Sequence, residues 1–377
     1  MLQTKKADFK QIGARFRIDP VTARIIRNRG IEGEAAIDRY LNGTLDDLYD
    51  PMLLKDMERA VSILCEAVDT GKKIRIVGDY DIDGVCSTYI LLQAFERLGS
   101  DVDFEIPDRI KDGYGINESI IEQAHADGVE VILTCDNGIS AFHQVELAKK
   151  YGMTVVITDH HEVPLDGEKE KIPPADAVID PKQADCPYPF PEICGAVVAY
   201  KLVQVLYARR GVPQMEWLDL LEFAAIATVG DVMKLQDENR ILVKYGLKKM
   251  AQTKNLGLRR LAEKNNLDLG AITAYHIGFV IGPCLNAGGR LKTAKEALAL
   301  LRAQSEEEAE RLAEELKELN DTRKDMTEQG TEAAKLQVES WYQKDKVLVV
   351  FLPECHESLA GIIAGRLREY YQKPAIV

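Results

Sequence analysis

The sequence lacks the marks of several common protein classes. Its seven cysteines (Cys65, Cys86, Cys135, Cys186, Cys194, Cys284 and Cys355) contain no CxxC pair, so neither a zinc site of ordinary ligand spacing nor a disulfide framework is indicated. Several stand in apolar runs, where cysteine behaves as a small hydrophobe, and a reducing cytoplasm is the expected setting. Neither GxGxxG nor GxxxxGK[ST] occurs, which excludes the dinucleotide fingerprint and the P-loop. HExxH fails as well, because His161-Glu162 is followed by Val163, Pro164 and Leu165.

Membrane signals are equally scarce. MLQTKKADFKQIGARF has no apolar stretch after its basic residues and does not read as a secretory signal. Residues 269–289 are 21 positions without Asp, Glu, Lys or Arg, long enough to cross a bilayer. They also hold His276, Pro283, Asn286 and five glycines, which fit a buried, turn-rich core segment better. No membrane partner is expected.

Positive charge is in deficit too, with 48 Lys+Arg against 61 Asp+Glu and a net −13 over 377 residues. Affinity for phosphate comes from clustered cations. A nucleic-acid enzyme of this charge therefore needs a local basic groove, bound metal cations, or both. With 46% hydrophobic and 29% charged residues the chain is an ordinary globular one, long enough for two or three domains.

Residues 1–70 read as a mostly helical N-terminal region, with helical spacing over 32–43 and 56–73. From 74 the pattern becomes strand, loop, helix. IRIV (74–77), VDFEI (102–106), VEVILT (129–134), MTVVIT (153–158) and DAVI (176–179) alternate with helical stretches. That alternation predicts an α/β domain around a parallel sheet. Residues 194–300 read as a helical extension, interrupted by the glycine-rich passage at 282–289. The charged stretch 305–340 predicts one long helix or two in series, with Gly330 the only breaker. KVLVVFL (346–352) restarts an α/β pattern, a helix follows at 358–372, and Pro374 leads into AIV. The chain reaches Val377 inside what reads as a buried strand, so a C-terminal truncation is expected.

The chemistry lies where four predicted strands run into acidic turns. IRIV leads to Gly78-Asp79-Tyr80-Asp81-Ile82-Asp83-Gly84, VILT to Asp136-Asn137-Gly138, VVIT to Asp159-His160-His161-Glu162, and AVI to Asp180-Pro181. In open parallel sheets ligands bind beyond the carboxyl ends of the strands, so these turns converge in space. So many carboxylates repel one another unless cations sit between them. The economical reading is a site for two divalent ions built from Asp and His, with Mn²⁺ or Mg²⁺ suited to such ligands. Two ions about 3.5–4 Å apart can activate water and stabilise both oxygens of an in-line phosphoryl displacement. An EF-hand loop fits less well, since its twelfth position would be Ile90 and a strand precedes it. A haloacid-dehalogenase-like phosphatase could use Gly230-Asp231 but leaves Asp136 and the His160-His161 pair unexplained.

DYDIDG, DNG, DHH and DP in this order resemble the DHH phosphoesterase superfamily. GDYDIDGVCST, IPDRIKDGYGIN (106–117) and GPCLNAGGRL (282–291) are similar to its bacterial single-strand-specific 5′→3′ DNA exonucleases, and the resemblance runs from about residue 30 to the last residue. It implies a DHH catalytic domain at 71–300, a connecting helix at 301–343 and the start of a DHHA1-like domain at 344–377, with the oligonucleotide-binding domain absent. Asp81 and Asp83 would each bind one ion and Asp136 would bridge both. His160 and Asp231 would complete the second ion, with Asp79 as a supporting ligand. Catalysis would rest on Asp136 and on His161, placed to orient a phosphate oxygen or move a proton. Asp159 and Asp180 would hold the imidazoles. Arg109, Asn286 and Arg290 would contact phosphate, with Gly288 and Gly289 allowing close backbone approach. In CHESLAGIIAGRL (355–367), His356, Ser358, Gly361 and Arg366 would face the cleft, tight helix packing being the equal reading for Gly361, Ala364 and Gly365. Two residues depart from the family pattern. Val77 stands where many members carry a metal-binding His, and Cys284 where an Arg is usual.

The activity so implied is metal-dependent hydrolysis of single-stranded DNA to 5′-mononucleotides in DNA repair and recombination. A helicase and a single-strand-binding protein are the implied partners. The alternative is a phosphodiesterase for very short RNA or cyclic dinucleotides. A non-catalytic scaffold is disfavoured, because Asp81, Asp83, Asp136, His160 and Asp231 are all present.

Overall fold

Ile74–Val77 (β1) is buried at every position, as a central strand covered on both faces must be. Its one charged residue, Arg75, is neutralised by Asp103 at 2.7 Å and Asp127 at 2.9 Å. The structure, a computed structural model, describes residues 6–377. In it β1 pairs with Val102–Glu105 (β2) on one side and Val131–Cys135 (β3) on the other. Thr154–Thr158 (β4) follows, then the short hairpin Leu165–Asp166 (β5) and Lys169–Glu170 (β6), then Ala177–Ile179 (β7). The main sheet has the order β2-β1-β3-β4-β7 and is parallel throughout. All five strands expected from the sequence are present.

The order matters for function. From β1 the chain moves outward to β2, then returns past β1 to build β3, β4 and β7 on the other side. In such a sheet the crevice opens at this reversal, above the carboxyl ends of β1 and β3. The register aligns those ends, with Val77 opposite Thr134 and Cys135 opposite Thr158.

One face of the sheet is covered by helices Met57–Asp69, Ile82–Arg97, Gly195–Arg209 and Leu221–Gly230, whose apolar residues share one large core. Helices Glu118–Ala126 and Phe142–Lys150 cover the other face through Ile121 and Val145. Of the N-terminal helical region, Ile26, Ile31 and Ile37 form a small separate cluster, whereas Met57–Asp69 belongs to the sheet's own core.

Residues 282–289, expected to interrupt the helical pattern, are themselves helical. Helix Gly282–Leu291 follows a π turn at Ile277–Ile281. Glycine in a helix interior costs about 1 kcal/mol relative to alanine, and tertiary contact overrides that cost here. A Cβ on Gly289 would lie 2.4 Å from the Tyr80 carbonyl oxygen. Only glycine lets this helix rest on the turn after β1.

Gly330 is likewise no breaker, since Glu306–Gln337 is one uninterrupted helix. Ser305 caps it, accepting the Glu308 N–H at 3.2 Å, and three glutamates in its first turn oppose the helix dipole. A Cβ on Gly330 would meet Ile363 at 2.6 Å, so the glycine marks where helix Glu357–Tyr371 crosses. That helix shares a small core of Leu348, Val350, Leu359, Ile363 and Leu367 with the far end of the long helix. Leu348–Val349 (β8) pairs in parallel with Ala375–Ile376 (β9), so KVLVVFL contributes a two-residue strand. Tight packing does not explain Gly361 and Gly365, because a Cβ on either would meet nothing within 4 Å. Among the described residues no helix is long and apolar enough to cross a membrane.

Gly289→Ala is expected to lower unfolding free energy by about 1–3 kcal/mol, the usual cost of forcing an extra carbon into a packed site. Gly361→Ala, in a helix with open space, is expected to be neutral or to stabilise by up to about 1 kcal/mol. Urea unfolding of the two variants checks the contrast, and equal effects would refute it.

Candidate active site

The turn after β1 is both a folding signal and a ligand cluster. Asp81 is the N-cap of helix Ile82–Arg97, and its Oδ1 accepts the backbone N–H groups of Asp83 at 2.9 Å and Gly84 at 3.2 Å. Asp83, the second residue of that helix, accepts the N–H groups of Gly195 at 2.7 Å and Ala196 at 2.8 Å, one on each oxygen. Those two groups open helix Gly195–Arg209, so its positive end faces the carboxylate.

Asp136 leaves β3 in left-handed backbone, φ 61, which Asp tolerates better than most residues. Next to it, Asn137 Nδ2 donates to the carbonyls of Val77 at 3.0 Å and Cys135 at 2.9 Å, while its Oδ1 accepts the Ile116 N–H at 3.2 Å. The DNG turn thereby stitches β1, β3 and the 106–117 loop together. After β4, the buried carboxylate of Asp159 accepts the N–H of Ile139 at 2.9 Å and of His160 at 2.7 Å, and lies 2.7 Å from His161 Nδ1.

These turns deliver their side chains to one place. His160 Nε2 lies 3.0 Å from Asp136 Oδ1, 3.4 Å from Asp83 Oδ2 and 3.9 Å from Asp231 Oδ2. Donor atoms of Asp79, Asp81 and Asp136 lie within 4.8 Å of one another, as do those of Asp83, His160 and Asp231, and those of Asp136, His160 and His161.

The electrostatics carry the strain of this crowding. Burial, then the Asp81 charge, pushes Asp79 up to about 7. Burial and the charges of Asp83 and Asp81 push Asp231 up to about 7, and drive Asp136 well above the carboxylate range. Asp81 is raised by burial and by Asp83. Asp159 moves the other way, because its bond to His161 and the backbone donors outweigh burial. For His161 burial acts downward, but Asp159 prevails and raises it to about 9. His160 is lowered by burial. Asp79 Oδ1 and His160 Nδ1 are buried without a hydrogen-bond partner among the described residues. A set of carboxylate oxygens with one imidazole, short of partners and mutually repelling, fits hard divalent cations.

One expectation changes. Asp180 bonds neither imidazole among the described residues. Its Oδ1 accepts the Lys182 N–H at 2.8 Å, its Oδ2 is unpartnered, and burial followed by the Asp159 charge raises it to about 7. His161 Nδ1 is held by Asp159 instead, and His160 Nδ1 has no partner among the described residues.

On the other side of the cluster, the Arg109 guanidinium lies 4.5 Å from the centre of the Tyr80 ring. Arg290 Nη1 donates to the Ser358 carbonyl at 2.9 Å, and Ser358 Oγ donates back to the Arg290 carbonyl at 3.0 Å. Ser358 Oγ is also 2.8 Å from His356 Nδ1, so these three residues join helix Gly282–Leu291 to helix Glu357–Tyr371. Asn286 Oδ1 is buried and unpaired among the described residues.

Sequence reasoning missed Tyr114 and Gly195. The Tyr114 hydroxyl donates to the Asp136 carbonyl at 2.8 Å and lies 3.1 Å from His161 Nδ1. Its only signal was an aromatic between two glycines. A Cβ on Gly195 would lie 2.7 Å from the Asp136 Cβ, which no local pattern announces.

Residues 73–228 match the model of the DHH family, N-terminal domain. The single-stranded-DNA-specific exonuclease RecJ of Bacillus subtilis (strain 168) is 36% identical over 368 residues, covering 98% of this chain and 45% of that protein. For RecJ of Escherichia coli (strain K12) the figures are 35% over 375 residues, 95% and 63%. A crystal structure of exonuclease RecJ bound to manganese aligns with a TM-score of 0.76 at 34% identity, over 85% of this chain and 79% of that one. This chain belongs to the RecJ family. RecJ of Thermus thermophilus in complex with Mn²⁺ aligns with a TM-score of 0.81 at 30% identity, over 97% of this chain and 51% of that one. The chain thus spans 45% and 63% of the two curated RecJ proteins compared above, and its fold is the α/β DHH fold with a parallel sheet.

Asp79, Asp180 and Asp231 are each raised in the folded protein to about 7, from an unfolded value of about 3.9. A raised carboxyl contributes stability that is complete below the unfolded pKa and lost as pH rises through the folded one. In EDTA, the urea midpoint of the metal-free protein is expected to fall between pH 5 and pH 7.5, and Asp180→Asn is expected to flatten that fall. A midpoint that rises across this window would refute the charge crowding.

Proposed function

We propose that this chain is a metal-dependent exonuclease that removes 5′-mononucleotides from the 5′ end of single-stranded DNA. The observation carrying this reading is the convergence of seven acid and imidazole side chains at the switch point of the sheet, beside half-buried arginines. Asp79, Asp81 and Asp136 would hold one Mn²⁺ or Mg²⁺ ion. Asp83, His160 and Asp231 would hold a second, with Asp136 shared between them. When bound, the two ions neutralise the buried carboxylates and supply the activation of water that phosphodiester hydrolysis requires.

The chain's own groups do the rest. Asp159 fixes the His161 ring and keeps it protonated, so that the imidazolium can donate to a phosphate oxygen. Tyr114 packs edge-on against His161, its hydroxyl 3.1 Å from Nδ1. Arg109 and Arg290 hold the backbone, and Ser358 and His356 anchor Arg290. The names of the relatives support the substrate and chemistry. Family membership supports the polarity, a role in DNA repair and recombination, and helicase and single-strand-binding partners, and the seven unpaired cysteines support a cytoplasmic setting.

The test is digestion of a single-stranded oligonucleotide in Mn²⁺, labelled at the 5′ end in one tube and the 3′ end in another. Early release of the 5′ label as mononucleotide, with gradual shortening of the 3′-labelled strand, is expected. EDTA should abolish the reaction and Mn²⁺ restore it. Asp136→Ala should lower the rate at least about a hundredfold, the scale of losing one electrostatic stabiliser. Asp159→Asn should lower it about 10–100-fold by freeing the imidazole. An intact strand alongside cleaved dinucleotides would instead establish a phosphodiesterase for short substrates.

A further inference from the structure

Helix Ile82–Arg97 begins in the acidic cluster and leads away from it. From Asp83 it rises about 9 Å to Tyr89 and about 21 Å to Arg97. Those two residues line a cavity of about 330 Å³ that includes none of the acids and imidazoles described above. Its walls are apolar and aromatic, with Tyr207, Leu220 and Phe223 beside Tyr89, and the Tyr89 and Phe223 ring centroids are 4.3 Å apart. The volume is that of a small-ligand site.

Glu222 is the lining residue that lacks an answer. It is 3% exposed. Its Oε1 accepts the Thr253 hydroxyl at 2.7 Å, whereas Oε2 is buried without a partner among the described residues. A place in the first turn of helix Leu221–Gly230 accounts for an acid here, but not for an oxygen left without a donor. The other charges of the cavity are matched. Arg97 pairs with Glu216, and Lys249 and Lys254 share Asp219. Two ammonium groups on one carboxylate leave one positive charge over at the rim, where the Lys254 side chain is 81% exposed.

The polar groups are held in one chain. Thr253 Oγ1, which donates to Glu222, accepts the Asn255 N–H at 3.1 Å, and Asn255 Nδ2 donates to the Tyr89 hydroxyl at 3.1 Å. The proton of that hydroxyl has no acceptor among the described residues. Burial pushes the Tyr89 hydroxyl up to about 12, so it stays a donor at neutral pH. The cavity thus offers a free O–H donor, a free carboxylate oxygen and a spare ammonium group, around aromatic walls.

A ligand that answers all three carries an acceptor next to N–H donors on one flat edge and an anion at its other end. A free amine or metal ion would use Glu222 alone, and inorganic phosphate would be repelled by it. Guanine has the required edge, O6 adjoining N1–H and N2–H. We propose that this cavity binds a guanine mononucleotide, with N1–H and N2–H donating to Glu222, O6 accepting the Tyr89 hydroxyl and the phosphate at Lys254. The site lies apart from the metal centre, and its occupation does not depend on the cleavage of DNA.

The experiment is isothermal titration calorimetry of the protein with dGMP at pH 8 in EDTA. EDTA keeps metal ions from drawing the phosphate into the acidic cluster, and pH 8 ionises Glu222, which burial raises to about 7. One dGMP per chain is expected to bind with a Kd below about 1 mM. Glu222→Gln, which keeps an acceptor for Thr253, should weaken binding about 10–100-fold, the scale of a hydrogen bond to a charged group. In dAMP the purine edge is reversed, and it should bind at least about tenfold more weakly than dGMP. Lys254→Met, at an exposed position that leaves folding untouched, should weaken dGMP binding about 2–5-fold. Absence of saturable binding overturns the proposal, as does equal affinity for dGMP and dAMP. Wild-type affinity in both Glu222→Gln and Lys254→Met overturns it too. Loss of binding in Asp136→Ala would place the nucleotide in the acidic cluster and overturn it as well.

Discussion

Burying a carboxylate costs free energy unless something replaces the water it loses, and the whole centre is organised around that cost. The acids divide into two groups by how it is met. Asp159 is met locally, by backbone N–H groups and the His161 ring, and its pKa falls. Asp83 has one backbone donor on each oxygen from the start of helix Gly195–Arg209. Asp79, Asp136 and Asp231 have no comparable answer, and each is driven upward by burial and by its neighbours. The first group holds the scaffold in place. The second is the part of the protein that only added positive charge can satisfy.

The same residues also build the fold, which is why the site cannot be separated from it. Asp81 starts a helix, and Asn137 ties β1 to β3. Asp231 ends helix Leu221–Gly230, and the next residue, Val232, is in left-handed backbone at φ 58 while 86% exposed. A β-branched residue seldom enters that region, and such strain costs about 1–3 kcal/mol and persists only where the surroundings enforce it. Here bonds from Val232 N to the Val229 carbonyl and from Met233 N to the Thr228 carbonyl close the helix end. The result is a sharp stop that leaves the Asp231 carboxylate 3.9 Å from His160.

What was legible in the sequence follows from where each determinant lies. The strands were legible because a strand buried on both faces is a continuous apolar run, and the acidic turns because their chemistry sits in consecutive residues. Gly289 was not, since the reason for a glycine inside a helix is the Tyr80 carbonyl far away in the chain. Gly330 left one helix or two open, and the reason for a glycine inside the single helix is Ile363, which packs against it. Tyr114 and Gly195 act through a backbone carbonyl and a missing side chain, features that composition does not reveal. Asp180 shows the opposite error. Its strand-end placement was read correctly, but Asp159 holds His161, and Asp180 Oδ2 and His160 Nδ1 are both unpartnered among the described residues.

The net charge of −13 remains to be reconciled with the proposed polyanionic substrate. Charges separated by more than about 8–10 Å at physiological salt are largely screened, so the local pattern decides. Three acidic side chains of the long helix are taken up on one flank. Glu306 binds Arg259 and Arg260, while Glu310 and Glu314 bind Lys264, fastening helix Leu256–Lys264 alongside. The flank that meets Gly282–Leu291 presents Asn320 and Arg323. One flank of the helix thereby pairs three glutamates with basic neighbours, while another carries Arg323, whose guanidinium meets no carboxylate within 4 Å among the described residues. Total charge averages over those two flanks and hides the distinction on which nucleic-acid binding depends.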